Sequence, residues 1–219
     1  MNSRRTKTAG AVEEVRPQHP LLILISAPSG GGKTTLCEAL LKARPEMTRV
    51  ITCTTREPRP GEVDGRDYFF LDANSFLKRV QAGNFLEHAT VYGNSYGTLK
   101  SEVLEKLRRG RDVLLNIDVQ GAATVRTSAL ADPELKRALV TIFLTPPSIA
   151  VLETRLKRRA TDSAANIQKR LSVARQEIGQ WKNFDYLVIS DSVDRDLQRT
   201  LSIIEAEKMR TARAELPDM

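Results

Sequence analysis

The apolar and polar positions of this chain follow two periods, which predict strands separated by amphipathic helices. Four short runs are almost entirely apolar, as is typical of strands covered on both faces of a parallel sheet. The sequence predicts these strands at Leu21–Ser26, Asp112–Asp118, Ala138–Leu144 and Tyr186–Ser190. Strands that alternate with helices favour an α/β fold with a doubly wound parallel sheet flanked by helices.

Helices are predicted where apolar residues recur at helical spacing. The first helix, Lys33–Ala43, ends before Pro45, because the residue that precedes a proline avoids helical geometry. A helix at Ser101–Arg109 is closed by Gly110. Later helices are predicted at Ile149–Arg159, from Ile167 to about Lys182 and from Leu197 to about Arg210.

The segment from Thr48 to about Thr98 has a different character. It combines short β-like pieces, a turn-rich linker and one amphipathic stretch, which together indicate a small α+β subdomain inserted into the main fold. The expected organisation is a disordered basic tail at 1–19, a core of 20–50, 101–148 and 176–210, an insertion at 51–100, a lid at 149–175 and a C-terminal tail at 211–219.

The bulk composition is that of an ordinary soluble enzyme, with 41% hydrophobic and 28% charged residues. No apolar stretch approaches the roughly 18 residues of a membrane span, and the segment before Leu21 lacks the apolar core of a secretory signal. A cytoplasmic location is therefore expected. Cys37 and Cys53 are too few for a disulfide framework and lack metal-ligand spacing, so both are expected in the core or in a pocket wall.

The net charge of +7 indicates a negatively charged partner. Nucleic acid and phosphorylated small molecules both qualify, but aromatic residues make up only 5% of the chain and none alternates with the basic clusters. Because single-stranded nucleic acid is bound by stacking on such residues, the charge is interpreted as serving nucleotides. The sequence leaves the choice between a monomer and a homo-oligomer open.

The most specific motif is a glycine-rich turn between the first predicted strand and the first predicted helix. Glycines lack Cβ atoms, so the backbone can curve around a polyphosphate and direct several N–H groups inward. Lys33 can reach the β- and γ-phosphates, and the Thr34 hydroxyl is placed to bind Mg²⁺. The loop predicts a nucleoside triphosphate site made of Ala27, Pro28, Ser29, Gly30, Gly31, Gly32, Lys33, Thr34 and Thr35.

The loop departs at one position from the strict P-loop pattern, which has glycine where this chain has Ala27. An alternative interpretation is a strand-to-helix turn that binds nothing. Such a turn requires neither the lysine nor the hydroxyl, so the triphosphate site is favoured.

A second cluster of phosphate-binding residue types lies in the turn-rich linker. Arg56 and Arg59 are three residues apart on a proline-constrained loop, and Tyr68 follows with a hydroxyl that can donate. Arginine suits bidentate binding of phosphate. From these residues alone, a phosphate site and a pair of solvated loop charges beside a strand tyrosine are equally good interpretations.

Four blocks of the sequence, taken in order, resemble guanylate kinase. They read SAPSGGGKT, TTREPRPGEVDGRDYFF, FLEHATVYGNSYGT and NIDVQG, and the resemblance extends from about Leu21 through the last predicted helix. It implies a P-loop kinase with an inserted α+β subdomain for the nucleoside monophosphate and a helical lid. The implied reaction transfers the γ-phosphoryl group of MgATP to GMP, giving GDP and ADP in guanine nucleotide metabolism, with dGMP as an open second acceptor.

The resemblance also implies a role for each matching residue. Glu87 falls where the guanine edge is read, and this suits a carboxylate, because guanine offers N1–H and N2–H₂ as adjacent donors whereas adenine has an acceptor at N1. Considered alone, Glu87 also fits a solvated carboxylate at a helix end, an alternative that the surrounding block disfavours. His88 has no visible partner and is assigned no role. The implied GMP-binding residues are Thr52, Arg56, Arg59, Tyr68, Glu87, Tyr96, Gly97, Thr98 and Asp118.

The basic stretch that begins near Ile149 resembles the mobile lid of nucleoside monophosphate kinases, whose arginines fold over the triphosphate. The implied catalytic residues are Lys33, Arg56, Arg155, Arg159 and Arg170. GMP's phosphate is ionised at neutral pH and needs no general base, so transfer depends on positioning and on cations around the transferring oxygens. Ala160 replaces a glycine usual in the family, and a stiffer lid hinge is expected.

Magnesium is the implied cofactor, bound by Thr34 with Asn116 and Asp118 acting through water. The family commonly has an aspartate where this chain has Asn116, which can orient a bound water but adds no charge. Near the expected adenine, Ser190-Asp191-Ser192 replaces another family motif, and backbone contacts are expected to suffice there.

Two other functions fit parts of the sequence. One is a guanylate-kinase-like module that binds proteins without catalysis, and the retained Lys33, Thr34 and arginines argue against it. The other is a related P-loop kinase for a phosphorylated sugar, which would have no use for Glu87. The expected partners are therefore ATP and GMP, with no nucleic acid and no membrane.

Overall fold

The computed structural model describes residues 19–91, 93–158 and 164–213. The strands are β1 (Leu22–Ser26), β2 (Thr48–Arg49), β3 (Cys53–Thr54), β4 (Phe69–Phe70), β5 (Phe85–Val91), β6 (Asn94–Leu99), β7 (Val113–Asn116), β8 (Leu139–Thr145) and β9 (Tyr186–Ile189). The helices are α1 (Lys33–Ala43), α2 (Ala73–Gln81), α3 (Lys100–Arg108), α4 (Val119–Leu130), α5 (Pro133–Ala138), α6 (Ile149–Arg158), α7 (Ala164–Ile178) and α8 (Val193–Lys208), with a 3₁₀ turn at Trp181–Asn183.

The main sheet has five strands in the order β2-β7-β1-β8-β9, and every neighbouring pair is parallel, which confirms the predicted parallel sheet. Strand β1 is central, and all of its residues are buried. Its side chains alternate between two apolar cores. Ile23 and Ile25 pack on the side of α1 and α8, whereas Leu22 and Leu24 pack on the side of α3, α4 and α5.

A second sheet of four strands has the order β4-β3-β6-β5. Strands β3 and β4 are parallel, whereas β6 pairs antiparallel with both β3 and β5. Helix α2 covers this sheet through Phe76, whose ring stacks on Phe85 with centroids 4.6 Å apart. Leu86 of β5 is buried in the same core as Leu22 and Leu24, so the second sheet is anchored on the main one.

Helices α6 and α7 form a separate helical pair with its own small core. This core consists of Leu152, Leu156, Ile167, Leu171 and Ala174. The predicted lid residue Arg159 and the neighbouring Ala160 lie outside the described residues.

The strand predicted at Asp112–Asp118 is shorter in the structure, because both terminal aspartates have other partners. Asp112 Oδ1 accepts a hydrogen bond from the Leu21 N–H at 2.9 Å, and Asp112 also pairs with Lys208. Asp118 Oδ1 accepts from the Gly121 N–H at 2.8 Å and caps α4. Helices α4 and α5 were not predicted, although Asp118 and Asp132 are both typical N-cap residues.

The ends of two predicted helices also differ from the structure. Helix α7 stops at Ile178, where Gly179 follows, and does not continue to Lys182. Helix α8 begins at Val193, earlier than predicted, because the Ser192 side chain caps it.

The chain stays packed on the fold through Arg213, within the tail expected at 211–219, and residues 214–219 lie outside the described residues. Arg213 is buried, and its guanidinium donates to the carbonyl oxygens of Arg137 at 2.7 Å and Leu139 at 3.1 Å and pairs with Glu207.

Candidate active site

The phosphate loop connects β1 to α1 at the carboxyl edge of the main sheet, where parallel sheets bind ligands. Gly30 and Gly32 have φ angles of +86° and +97°. This left-handed conformation is unfavourable for residues that carry a side chain. Gly32 lies at the N-cap of α1 and has no side chain to satisfy the free N–H groups of the first turn. Those N–H groups are therefore available to an anion, with the positive end of the helix dipole behind them.

All of the predicted loop residues from Ala27 to Thr35 line one cleft of about 200 Å³, together with Asp118 and Glu177. Lys33 Nζ donates to the Ile117 carbonyl oxygen at 2.6 Å, which holds the ammonium at the junction between β7 and α4. Burial lowers the pKa of Lys33, and the nearby Asp118 carboxylate opposes that shift. The hydrogen bond to Ile117 holds the ammonium beside the loop.

The second predicted phosphate cluster gathers around Arg56. Its guanidinium donates to both oxygens of Glu62, at 2.8 and 2.9 Å, and lies over the ring of Tyr68 at 5.4 Å from the centroid. Tyr96 lies edge-on to Tyr68 with centroids 6.3 Å apart. The side chain of Arg59 is exposed, and its backbone N–H donates to Glu62 at 2.7 Å. Arg56, Tyr68 and Tyr96 therefore lie together in one cluster.

Glu87 is a buried strand residue, so its interpretation as a solvated carboxylate at a helix end is wrong. Its Oε1 accepts a hydrogen bond from Thr98 Oγ1 at 2.7 Å, across the β5–β6 pair. A Cβ on Gly121 would lie 3.4 Å from Oε2, so the first turn of α4 closes one side of this pocket. Burial is the main cause that raises the pKa of Glu87, the Thr98 hydrogen bond opposes it, and the charge of Asp118 adds to it.

Gly97 lies on β6 directly before Thr98. It pairs with Cys53 of β3 and with His88 of β5, and a Cβ there would lie 2.8 Å from the Phe85 ring. His88 itself is exposed, with its ring near those of Phe76 and Phe85.

A second cleft, of about 230 Å³, lies between Thr34 of the phosphate loop and Tyr68 of the Arg56 cluster. Its lining includes Thr34 of α1 and Asn116 of β7, together with Thr52 and Tyr68, which directly precede β3 and β4. Cys37 also lines it, and burial raises the pKa of this thiol to about 12. This cleft and the cleft at the phosphate loop share Thr34, and together they form a groove that runs from the loop to Tyr68.

Two of the predicted lid arginines contact the phosphate loop directly. Arg155 donates to the Gly31 carbonyl oxygen at 3.4 Å and to Ser190 Oγ at 3.3 Å. Arg170 donates to Ser29 Oγ, with its closer nitrogen at 2.9 Å. A further cleft of about 360 Å³ lies beside Arg155 and is lined by Gly32, Thr35 and the Ser190–Ser192 segment.

Sequence reasoning missed three residues that the fold brings next to predicted site residues. Glu62 pairs with Arg56, Gly121 borders Glu87, and Glu177 accepts a hydrogen bond from the Ser29 N–H at 3.1 Å. Only Glu62 carries a local signal, because a glutamate six positions after an arginine on a tight loop can reach back to it. The other two contacts arise from the tertiary fold.

A phosphate loop after the first strand, a second sheet across the groove and a helical pair over the loop define a P-loop kinase. Comparison with known families makes this assignment specific. The family model for guanylate kinase matches residues 19–207, and the chain belongs to the guanylate kinase family.

Individual relatives agree with this assignment. The chain is 48% identical to a guanylate kinase of Coxiella burnetii over 189 residues, which cover 86% of this chain and 88% of that protein. It is equally similar, at 48% identity, to a guanylate kinase of Hahella chejuensis over the same coverage. The crystal structure of guanylate kinase from Anaplasma phagocytophilum matches with a TM-score of 0.66 and 30% identity, covering 90% of each chain.

Within the described part of the chain, no helix combines the length and the apolar character that crossing a membrane requires.

Proposed function

We propose that this chain binds MgATP on the phosphate loop and GMP on the second sheet, and that it transfers the γ-phosphoryl group of ATP to GMP, giving GDP and ADP. One observation carries the proposal. Lys33 contacts Ile117, just before α4, and Glu87 lies against Gly121 in the first turn of α4. In this proposal, the cation that binds phosphate, Lys33, and the carboxylate that binds the base, Glu87, both lie at the N-terminal end of α4.

The guanine ring is proposed to bind at Glu87. The two carboxylate oxygens of Glu87 suit the adjacent N1–H and N2–H₂ donors of guanine, and the Thr98 hydroxyl keeps the carboxylate in place. Adenine would set an acceptor against this carboxylate, which leaves buried polar groups unpaired. Thr52 and Asp118 complete the surroundings of the base in this proposal.

The phosphate of GMP is proposed to bind at Arg56, Arg59, Tyr68 and Tyr96. The oriented guanidinium of Arg56 and the tyrosine hydroxyls supply donors, and the exposed Arg59 can close over the phosphate. Bidentate guanidinium binding is well suited to this group.

ATP is proposed to lie with its phosphates along Ala27–Thr35 and its adenosine in the cleft beside Ser190. Lys33 and the N-terminus of α1 would offset the charge of the β- and γ-phosphates. Arg155 and Arg170 already contact the loop and would add positive charge at the transferring group.

The oxygen-rich residues at this edge fit a magnesium ion, which prefers hydroxyl, carboxylate and carbonyl oxygens. Thr34 would bind it directly, and Asn116 and Asp118 would bind its water molecules. One oxygen of Asp118 caps α4 and the other remains for this role. When bound, the ion would neutralise negative charge that develops on the phosphate oxygens during transfer.

The chemistry proposed for the protein is positioning. The ionised phosphate of GMP is itself the nucleophile, so no residue needs to remove a proton. The groove aligns acceptor and donor, while Lys33 and the lid arginines stabilise charge spread over the transferring oxygens. Closure of α6 and α7 would exclude water and limit hydrolysis of ATP. The proposal places the enzyme in the cytoplasm, where these nucleotides occur.

The test is ADP release in a coupled assay with GMP, dGMP, AMP and UMP as acceptors and MgATP as donor. GMP is expected to give the highest kcat/KM, with AMP lower by about 10⁴-fold. A preference for AMP or UMP would overturn the acceptor assignment. Binding of GMP without any turnover would favour a non-catalytic interaction module.

A further inference from the structure

Helix α7 holds one residue of the phosphate loop from two sides. Glu177 accepts a hydrogen bond from the Ser29 N–H at 3.1 Å, and Arg170 donates to the Ser29 hydroxyl at 2.9 Å. These two contacts link positions that are 148 and 141 residues apart in the chain. The loop and the lid helix are therefore joined through a single serine.

The spacing of Arg170 and Glu177 along α7 allows both side chains to contact Ser29. Arg170 and Glu177 are seven residues apart, about two helical turns, and so lie on the same face of α7. The helix is held against α6 by the apolar core that includes Leu156 and Leu171. A Cβ on Gly30 would lie 2.8 Å from Leu156 Cδ2, so α6 also touches the loop.

The environment of Glu177 argues against an incidental contact. Its carboxylate lines the same cleft as Lys33 and Asp118, and it is half-buried. Burial is the largest cause that raises the pKa of Glu177, while the Ser29 hydrogen bond and Lys33 act in the opposite direction. A carboxylate is an unfavourable neighbour for a triphosphate, so its position in this cleft calls for a specific contribution.

We propose that Glu177 and Ser29 are positioning residues for phosphoryl transfer: Glu177 fixes the phosphate loop through the Ser29 N–H, and the Ser29 hydroxyl sets the position of Arg170. This inference rests on the proposed function. Glu177 acts as a hydrogen-bond acceptor and not as a base. Its effect reaches the substrate through the loop backbone and through the Arg170 guanidinium.

Two variants separate the effect of side-chain length at Glu177 from the effect of its charge. Glu177→Gln keeps an acceptor oxygen at the same distance and removes the charge, whereas Glu177→Asp keeps the charge and withdraws the oxygen by one methylene. Glu177→Gln is expected to stay within about 3-fold of the wild-type kcat/KM for ATP, and Glu177→Asp to lose about 10-fold or more. The KM for GMP should change little in both. Glu153→Gln, on α6, is the matched control, because Glu153 pairs with Lys157.

The role of Ser29 is tested by a double-mutant cycle with Arg170. Ser29→Ala is expected to lower kcat in the wild-type background and to have little further effect on Arg170→Ala, since the two act through one contact. Additive losses would overturn this part of the proposal. Melting temperatures identify any variant that fails to fold.

The proposal for Glu177 would be overturned if Glu177→Gln lost more of the kcat/KM for ATP than Glu177→Asp, or if both variants kept the wild-type kcat/KM. Failure of the proposed function has a different signature, because the wild-type chain itself would then not phosphorylate GMP. Binding of a non-hydrolysable ATP analogue gives an independent readout, which Glu177→Asp is expected to weaken and Glu177→Gln to preserve.

Discussion

Two cations of the candidate site are held by oxygen atoms of the protein. Lys33 donates to the Ile117 carbonyl oxygen, and Arg56 donates to the Glu62 carboxylate. Such contacts restrict side chains that would otherwise sample many rotamers. The fold therefore sets the position of both cations.

Replacement of Lys33 tests the phosphate loop most directly. Lys33→Ala is expected to lower kcat by about 10²-fold or more, because the ammonium stabilises charge on the transferring group. The coupled ADP-release assay measures the change. Lys42→Ala is a suitable control, since Lys42 is an exposed residue in the last turn of the same helix. Near-normal turnover of Lys33→Ala would contradict the assigned role.

Glu87 is expected to serve binding at a cost to stability. Since burial raises its pKa in the folded chain, the ionised form is penalised, and stability falls as the pH rises from the unfolded pKa through the folded one. Glu87→Gln should therefore melt higher than the wild type at pH 8, with the difference vanishing near about pH 4.

The same substitution should damage GMP recognition. A glutamine presents one acceptor and one donor, so the KM for GMP is expected to rise about 10-fold or more at neutral pH. The KM of the wild type should rise as the pH falls through the raised pKa of Glu87, whereas that of Glu87→Gln should not follow this titration. A KM for GMP unaffected by the substitution would show that the base binds elsewhere.

At the residue scale, Lys33 was predicted from the pattern of the phosphate loop, whereas the resemblance to guanylate kinase was needed to assign Arg56 and Glu87. The contacts of Lys33 with Ile117 and of Glu87 with Gly121 could not be predicted, because Ile117 contributes a backbone carbonyl and Gly121 contributes only the absence of a side chain. Neither leaves a recognisable pattern in the sequence.

Among the elements, α4 has the largest influence on the site. Its N-cap is Asp118, the Lys33 contact lies one residue earlier, and its first turn borders Glu87. The helix was not predicted, since its buried face consists largely of small residues such as Gly121, Ala122 and Ala129. Small residues give a weak periodic signal, whereas the leucines of β1 and α1 gave a strong one.

The capping role of Asp118 at α4 can be tested separately from its proposed role in binding the metal or the base. Asparagine caps helices about as well as aspartate, so Asp118→Asn is expected to leave the free energy of unfolding nearly unchanged, while Asp118→Ala loses about 1 kcal/mol. Chemical denaturation measures both. If Asp118 also serves the metal or the base, Asp118→Asn will lose activity despite normal stability. An Asp118→Asn variant as active as the wild type would restrict Asp118 to capping.

On the scale of the whole molecule, two sheets share one hydrophobic core through Leu86. The parallel sheet was predictable from apolar runs, and its strand order was not, since order depends on which helices cross which face. The contact between Ser29 and Glu177 likewise depends on the assembled fold, because 148 residues separate them.

Ligands that bind only the folded chain should stabilise it by mass action. At 100 times its dissociation constant, a ligand contributes about 2.7 kcal/mol, which corresponds to a rise in melting temperature of about 5–10 °C for a chain of this size. GMP and a non-hydrolysable ATP analogue should each produce such a shift in differential scanning calorimetry. Glu87→Gln should reduce the shift with GMP and keep the shift with the analogue. Equal loss of both shifts would contradict separate sites.

The first turn of α4 touches both halves of the groove, and this geometry has a consequence for how the substrates meet. If occupancy of one half firms that turn, it favours occupancy of the other by the same factor in either direction, since thermodynamic coupling is reciprocal. A chain saturated with GMP would then bind the ATP analogue more tightly, and a chain saturated with the analogue would bind GMP more tightly by that same factor.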